Sequence, residues 1–171
     1  MKKISIVCFL LVFLFAQNIS SQTLGELYIE NNTGFTMSMP SGWQTTDTGL
    51  KYLSILGPLD GGFTPNIGFA DEEFSGSVSE YIDAIMNILH LFSTEFILLE
   101  RSNFRTDSGI TGESIKYLLT LGQIQVRQKM YIVPNRNRTL IMGITGTAPV
   151  IGGERYDAIF DASARTFNWT R

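Results

Sequence analysis

Apolar and polar residues alternate in Phe35-Thr36-Met37-Ser38-Met39, which is the period of a half-buried strand. Pro40-Ser41-Gly42-Trp43 closes it, because proline lacks the ladder donor and glycine permits a tight reversal. Leu50 to Leu56 reads as a second strand and Ile67 to Ala70 as a third, with an evident loop from Gly57 to Asn66 between them. Leu24 to Asn32 is a lead-in whose pattern assigns no element. The period then changes. Ser77-Val78-Ser79-Glu80 matches a capping box, and Val78, Tyr81, Ile82, Ile85, Leu89 and Phe92 follow at helical spacing as one stripe. His90 projects away from the centre of that stripe.

Beyond the helix the alternation returns. Phe96 to Arg105 is one strand, and Asp107-Ser108-Gly109 is a turn signal. Ile115, Tyr117, Leu119 and Leu121 alternate with Ser114, Lys116, Leu118 and Thr120, and Gly122-Gln123 fits a two-residue hairpin. The returning arm alternates Ile124, Val126, Met130 and Ile132 with Gln125, Arg127, Lys129 and Tyr131. Pro134 to Arg138 is a further turn, Thr139 to Thr145 a strand, and Gly146 to Gly153 a flexible loop. A last helix carries Tyr156, Ile159, Phe160, Ser163 and Phe167 on one face, with Arg155, Asp157, Asp161 and Arg165 off it. No internal repeat, low-complexity tract or linker interrupts this order. Early strands, a helix, a meander and a final helix predict an α+β domain with a central antiparallel sheet covered by helices.

The amino terminus follows a different rule. Lys2 and Lys3 precede a continuous apolar run from Ile4 to Ala16, and small and polar residues follow from Asn18 to Gln22. A bilayer-spanning helix needs about 20 apolar residues, so residues 1–21 read as a cleavable export signal, with an uncleaved anchor as the lesser alternative. Ser21 and Ala16 offer two cut sites. Cys8 lies inside the apolar run, which is the wrong place for a lipid-bearing cysteine. The mature domain, residues 22–171, then has no cysteine, no disulfide and no thiol chemistry. A chain of about 150 residues buries ≈ 68–70% of its unfolded surface and can be held by a core alone.

Loss of Lys2 and Lys3 makes the net charge of −3 two units more negative. An acidic surface argues against nucleic acid as a partner, since that binding relies on Lys and Arg. Cleavage predicts no stable membrane anchor and a periplasmic or secreted location.

The stretch Phe35-x-Met37-x-Met39-Pro40-x-Gly42-Trp43 resembles the opening of the PsbP-like and DcrB-like families of exported bacterial and chloroplast proteins. The order of elements extends the likeness over roughly residues 30–168, through Leu140-Ile141-Met142 and a closing helix with Tyr156, Phe160, Ser163 and Phe167. The resemblance implies an α-β-α sandwich and a non-enzymatic role in assembly, stabilisation or protein binding. Function on one fold diverges widely, so no photosystem role is carried over. Trp43 reads as a core anchor rather than a site.

Candidate chemistry is sparse. With one histidine, only His90 could act as an imidazole base, and a Cys–His pair is excluded. No Gly-x-Ser-x-Gly elbow or Ser-x-x-Lys pair occurs. One histidine makes zinc improbable, and neither Asp71-Glu72-Glu73 nor Asp60 in its Gly-rich loop matches a calcium loop. A solvated strand end accounts for the acidic run. A paired-carboxylate glycosidase needs a separation that spacing does not supply. Gly143-x-x-Gly146 and Gly152-Gly153 do not complete a dinucleotide fingerprint. Arg136 and Arg138 read as clustering with Arg127 and Lys129, either a small patch for an anionic partner or, as the plainer reading, a soluble turn. Asn-x-Ser/Thr matches at Asn31, Asn137 and Asn168 matter only in a eukaryotic secretory pathway.

No catalytic, cofactor-binding or metal-binding residue is therefore assigned. The leading expectation is a non-catalytic exported module that binds or helps assemble another envelope protein. The alternative is a small-molecule or lipid-binding domain whose pocket lies where loops 57–66 and 146–153 approach, with Phe63 and Ile151 as apolar surface. A hydrolase built on carboxylates ranks third.

Overall fold

The structure is a computed structural model that describes residues 23–170. The leader expected at residues 1–21, with Cys8, lies outside them. In chain order the elements are β1 (Leu24–Glu30), β2 (Phe35–Pro40), β3 (Gln44–Thr46), β4 (Ser54–Leu56), β5 (Asn66–Glu73), α1 (Val78–Phe92), β6 (Glu95–Arg105), β7 (Thr111–Leu121), β8 (Ile124–Pro134), β9 (Leu140–Pro149), α2 (Arg155–Arg165) and β10 (Asn168–Trp169).

The strongest alternation yields the longest pairing. β7 and β8 run antiparallel from Glu113↔Ile132 to Leu121↔Ile124, so their connection is the two residues Gly122-Gln123, with Gly122 at φ 61°. β6 adds outside β7 and β9 outside β8, and the full sheet is ordered β3-β4-β5-β9-β8-β7-β6, antiparallel throughout. Because side chains alternate across a strand, each face of this sheet needs its own cover.

α1 covers one face. Its start is the expected capping box: the Glu80 N–H donates to Ser77 Oγ (3.2 Å), and the Ser77 N–H donates to Glu80 Oε2 (2.7 Å). Tyr81 and Ile82 bury against Ile115, Tyr117, Leu119, Val126, Ile132 and Ile141. The stripe ends early. Phe92, placed on it by spacing, is the last residue of the helix and is 78% exposed.

The other face carries α2 and a separate three-stranded sheet ordered β1-β2-β10. Here one expectation is corrected: the Phe35 strand belongs to this second sheet and not to the central one. Its apolar positions Phe35, Met37 and Met39 point at the core containing Tyr131, Val133, Met142 and Ile144. Phe35 is the hub, with ring centroids of Phe69 at 5.2 Å, Phe167 at 5.3 Å, Tyr52 at 5.5 Å and Tyr28 at 5.7 Å. The small sheet is tied to α2 by polar bonds: Ser163 Oγ donates to the Ser38 carbonyl, and the Ser38 N–H donates to Thr166 Oγ1 (2.8 Å).

Three further boundaries differ from the pattern. The lead-in at residues 24–32 forms β1, which pairs with β2. Only Ser54–Leu56 of the expected Leu50–Leu56 strand is extended, whereas Tyr52 plugs into the aromatic core from a turn. β9 continues to Pro149, so Gly146 is a strand residue and not part of a loop. Its missing side chain leaves room for Phe160, whose ring atoms would lie 2.4–2.5 Å from a Cβ at that position.

Candidate functional site

α2 meets the sheet through a row of charges. On β7 and β8, Lys116 stands opposite Lys129 and Leu118 opposite Arg127. Like charges directly opposite destabilise a sheet, so this row needs counter-charges. α2 supplies them as Asp157 and Asp161, one helical turn apart on the same face. Arg127 grips Asp157 with two bonds (Nε–Oδ1 3.1 Å, Nη2–Oδ2 2.7 Å), and Lys116 reaches Asp157 at 3.3 Å and Glu100 at 2.6 Å. Asp161 takes Lys129 Nζ at 2.7 Å and the Tyr131 hydroxyl at 2.7 Å. Burial raises the Asp157 carboxyl, but the Arg127 bonds and the Arg127 and Lys116 charges outweigh it and hold the group below the usual carboxylate range. Asp157 and Asp161 thus lie off the apolar face of α2, as the spacing predicts, and there they meet the charged row of the sheet.

The same row dissolves the expected basic cluster. Arg127 and Lys129 are neutralised under α2, while Arg136 and Arg138 sit in the turn beyond β8. Along β8, Arg127 lies roughly 23 Å from Pro134, where the strand gives way to that turn.

The loops at 57–66 and 146–153 do approach each other. Asp60 accepts an ion-pairing hydrogen bond from Arg155 Nη2 and another from the Tyr156 hydroxyl (2.9 Å). Asp60 also bridges Phe63 through two backbone bonds of 2.8 and 2.9 Å, which tightens the loop. A cavity of ≈ 550 Å³ opens there, lined by Asp60, Gln125, Pro149, Val150, Ile151 and Arg155. Ile151 is 93% exposed at its rim. Phe63 does not line the cavity and packs inward against the α1-side core.

The remaining candidates are spread out. His90 is exposed, its ring edge-on to Phe96 at 4.5 Å. β5 carries Asp71 and Glu72 to opposite sides: Asp71 takes Lys51 Nζ at 2.6 Å, and Glu72 accepts the Tyr81 hydroxyl at 3.0 Å. Burial and the Glu72 bond push Tyr81 up to about 12. Among the described residues, no three His, Asp or Glu side chains gather as a metal site. Trp43 is buried, its ring perpendicular to Phe160 at 6.2 Å. Gly143 and Gly146 are sheet residues, Asn31 and Asn137 lie in turns, and Asn168 opens β10.

The end of α1 is the largest surprise. Leu91 is 82% exposed, and Ile88 and Phe92 are exposed beside it. Three residues later β6 begins, with Ile97, Leu98 and Leu99 exposed on the edge strand of the seven-stranded sheet and an irregular register between Leu98 and Glu100. Periodicity alone marks Phe92 as core, so this surface was hidden by the very pattern that located the helix.

No family model matches the sequence, and no curated protein matches it. Solved structures do share the fold. Cyanobacterial PsbP (CyanoP) from Synechocystis sp. PCC 6803 is 13% identical over 89% of this chain and 95% of that one, with a TM-score of 0.63. PA94 of Pseudomonas aeruginosa, a protein of unknown function, is 12% identical over 82% and 94%, with a TM-score of 0.59. LpqN of Mycobacterium tuberculosis, involved in cell envelope biogenesis, is 13% identical over 85% and 90%, also with 0.59. The fold of this chain is therefore PsbP-like, as its opening motif implies. No helix among the described residues is long and apolar enough to cross a membrane.

Proposed function

We propose that this protein is an exported, non-catalytic module that binds another protein of the cell envelope through the end of α1 and the β6 edge. The observation that carries this reading is the exposure of Ile88, Leu91 and Phe92 at the end of α1 and of Ile97, Leu98 and Leu99 on the edge strand that follows it. Apolar side chains gathered on a surface mark interaction sites, and an edge strand adds unpaired backbone donors and acceptors for a partner strand. The scattering of His90, Asp71 and Glu72 into separate contacts supports a binding role over catalysis. The envelope setting draws support from the export-type leader in the sequence and from the fold shared with LpqN.

A photo-cross-linker at position 91 in the native envelope tests the reading. It should trap one protein reproducibly, and Leu91→Glu with Phe92→Glu should abolish its co-purification while leaving the melting temperature near that of the parent. Retention of the same partner by the double variant would sink the proposal.

A second reading, a small-molecule or lipid pocket, is favoured by one observation. The Asp60–Arg155 pair ties the 57–66 loop to the start of α2 beside the Val150 and Ile151 cavity. Its test is a fatty-acid titration followed at Ile151, with no saturable response as the refuting result.

A further inference from the structure

Six cations of the described residues, Lys51, Arg101, Lys116, Arg127, Lys129 and Arg155, each meet a carboxylate. Arg105, Arg136, Arg138 and Arg165 do not, although the protein is acidic overall. Of these four, Arg136 and Arg138 line one cavity of ≈ 310 Å³ at the far end of the β8–β9 hairpin, together with Asn135, Ser108, Asn168 and Trp169, and no Asp or Glu is among its lining residues. The concavity is thus positive and unneutralised.

Its walls are fixed in place. Trp169 Nε1 donates to the Pro134 carbonyl (3.0 Å), and its ring stands perpendicular to Phe167 at 5.3 Å. Asn135 Oδ1 accepts from the Thr139 and Leu140 N–H groups (3.0 and 3.2 Å), and the Arg138 N–H donates to the Asn135 carbonyl (3.1 Å). The turn is therefore a preformed frame that presents two guanidinium groups beside an indole. Arg138 also sits at φ 55°, a conformation that glycine or asparagine adopts at less cost.

We propose that this cavity is a binding site for a small anionic molecule carrying a phosphate group. The two arginines hold the anion through paired N–H bonds, and Trp169 supports the body of the ligand. The polar edges of Asn135, Asn168 and Ser108 suit hydroxyls attached to that body. The site lies apart from the α1–β6 surface, so it stands or falls independently of the protein-binding reading.

The test titrates the protein at constant ionic strength with inorganic phosphate, glucose 6-phosphate, glucose, and vesicles of phosphatidylglycerol or phosphatidylcholine. Amide shifts at residues 135–140 and the emission of Trp169 are followed. Glucose 6-phosphate should give a saturable response at both reporters, with affinity at least tenfold above that for inorganic phosphate and no response to glucose. Arg136→Ala and Arg138→Gly should each weaken it at least tenfold, and Arg138→Gly should raise the melting temperature, because it relieves the backbone while deleting the guanidinium. Saturable binding of phosphatidylglycerol vesicles alone, lost in both variants, assigns the same anion site to a lipid headgroup. No saturable response to any phosphate-bearing probe overturns the proposal. So does a response that survives Arg138→Gly, or one that sodium chloride reproduces.

Discussion

Gly146→Ala tests whether the interface between α2 and the sheet is set by one missing side chain. Gly146 lies in mid-strand, opposite Ile67 on β5 and Lys129 on β8. A Cβ built there falls 2.4 Å from Phe160 Cγ and 2.5 Å from both Cδ atoms. Carbon atoms rest at about 3.5–4.0 Å, so the ring must retreat by about 1 Å. It cannot swing aside: Phe160 is 2% exposed, perpendicular to Trp43 and stacked on Tyr156 at 6.1 Å. The helix must lift instead, and lifting it stretches the Arg127–Asp157 and Lys129–Asp161 pairs. Overpacking of this kind costs about 1–3 kcal/mol, against a gain of about 0.5–1 kcal/mol from replacing glycine in a strand. The net cost is up to about 2.5 kcal/mol, so at about 2–4 °C per kcal/mol for a protein of this size the melting temperature should fall by up to about 10 °C. Urea denaturation should show a lower midpoint with an unchanged slope. In a Phe160→Leu background the same substitution should cost nothing or stabilise, giving a coupling of about 1–3 kcal/mol. If Gly146→Ala destabilises equally in both backgrounds, the clash is not the cause and the packing argument fails.

Two further outcomes follow from the same faces of the sheet. The Tyr117 hydroxyl is buried beneath α1 without a hydrogen-bond partner, so Tyr117→Phe should leave stability unchanged or raise it by about 1 kcal/mol in urea titration. A loss of more than about 1 kcal/mol would show that an ordered water holds the hydroxyl. The second outcome is a stability profile bounded on both sides by pH. Burial raises Asp157 and Asp71, yet Arg127 and Lys51 respectively bring each below its ordinary value. Carboxyls of lowered folded pKa stabilise the protein above about pH 4, and that contribution is lost as pH falls through the folded values. Burial raises Tyr81, to about 12, and it raises Tyr117 and Tyr131 as well. Their contribution is full below about pH 10 and is lost as pH climbs through the folded values. Melting temperature against pH should show both limbs, and Asp157→Asn should flatten the acid one. An acid limb identical to the parent's would refute the role given to the Arg127–Asp157 pair.

Local signals were legible where one residue decides the structure. Ser77 and Glu80 start α1 because each satisfies the other's backbone, a reciprocity visible at a spacing of three. Gly122-Gln123 turns the chain because both flanking arms alternate in the register that a two-residue loop imposes. The assignment of strands to sheets was not legible. Periodicity states that one face of β2 is buried, but not whether its neighbour is β4 or the two-residue β10, which has no period at all. Glycine misled in a third way. The run Gly146 to Gly153 resembles a loop because glycine is usually read as freedom, whereas Gly146 is required for the close approach of Phe160.

The charged row under α2 shows why a site can be written in a sequence and still escape notice. Asp157 and Asp161 are spaced four apart, and Arg127 and Lys129 two apart, so each pair advertises one face of its own element. What no pattern states is that the two faces meet, because the partners are about thirty residues distant and belong to elements of different period. Once they meet, Arg127 and Lys129 have spent their charge on α2, while Arg136 and Arg138, which look identical in the sequence, have not. The distinction between a structural cation and one available to a ligand is therefore a property of the tertiary fold. It is this distinction, rather than the number of basic residues, that separates the solvent-facing turn beyond β8 from the strand that leads into it.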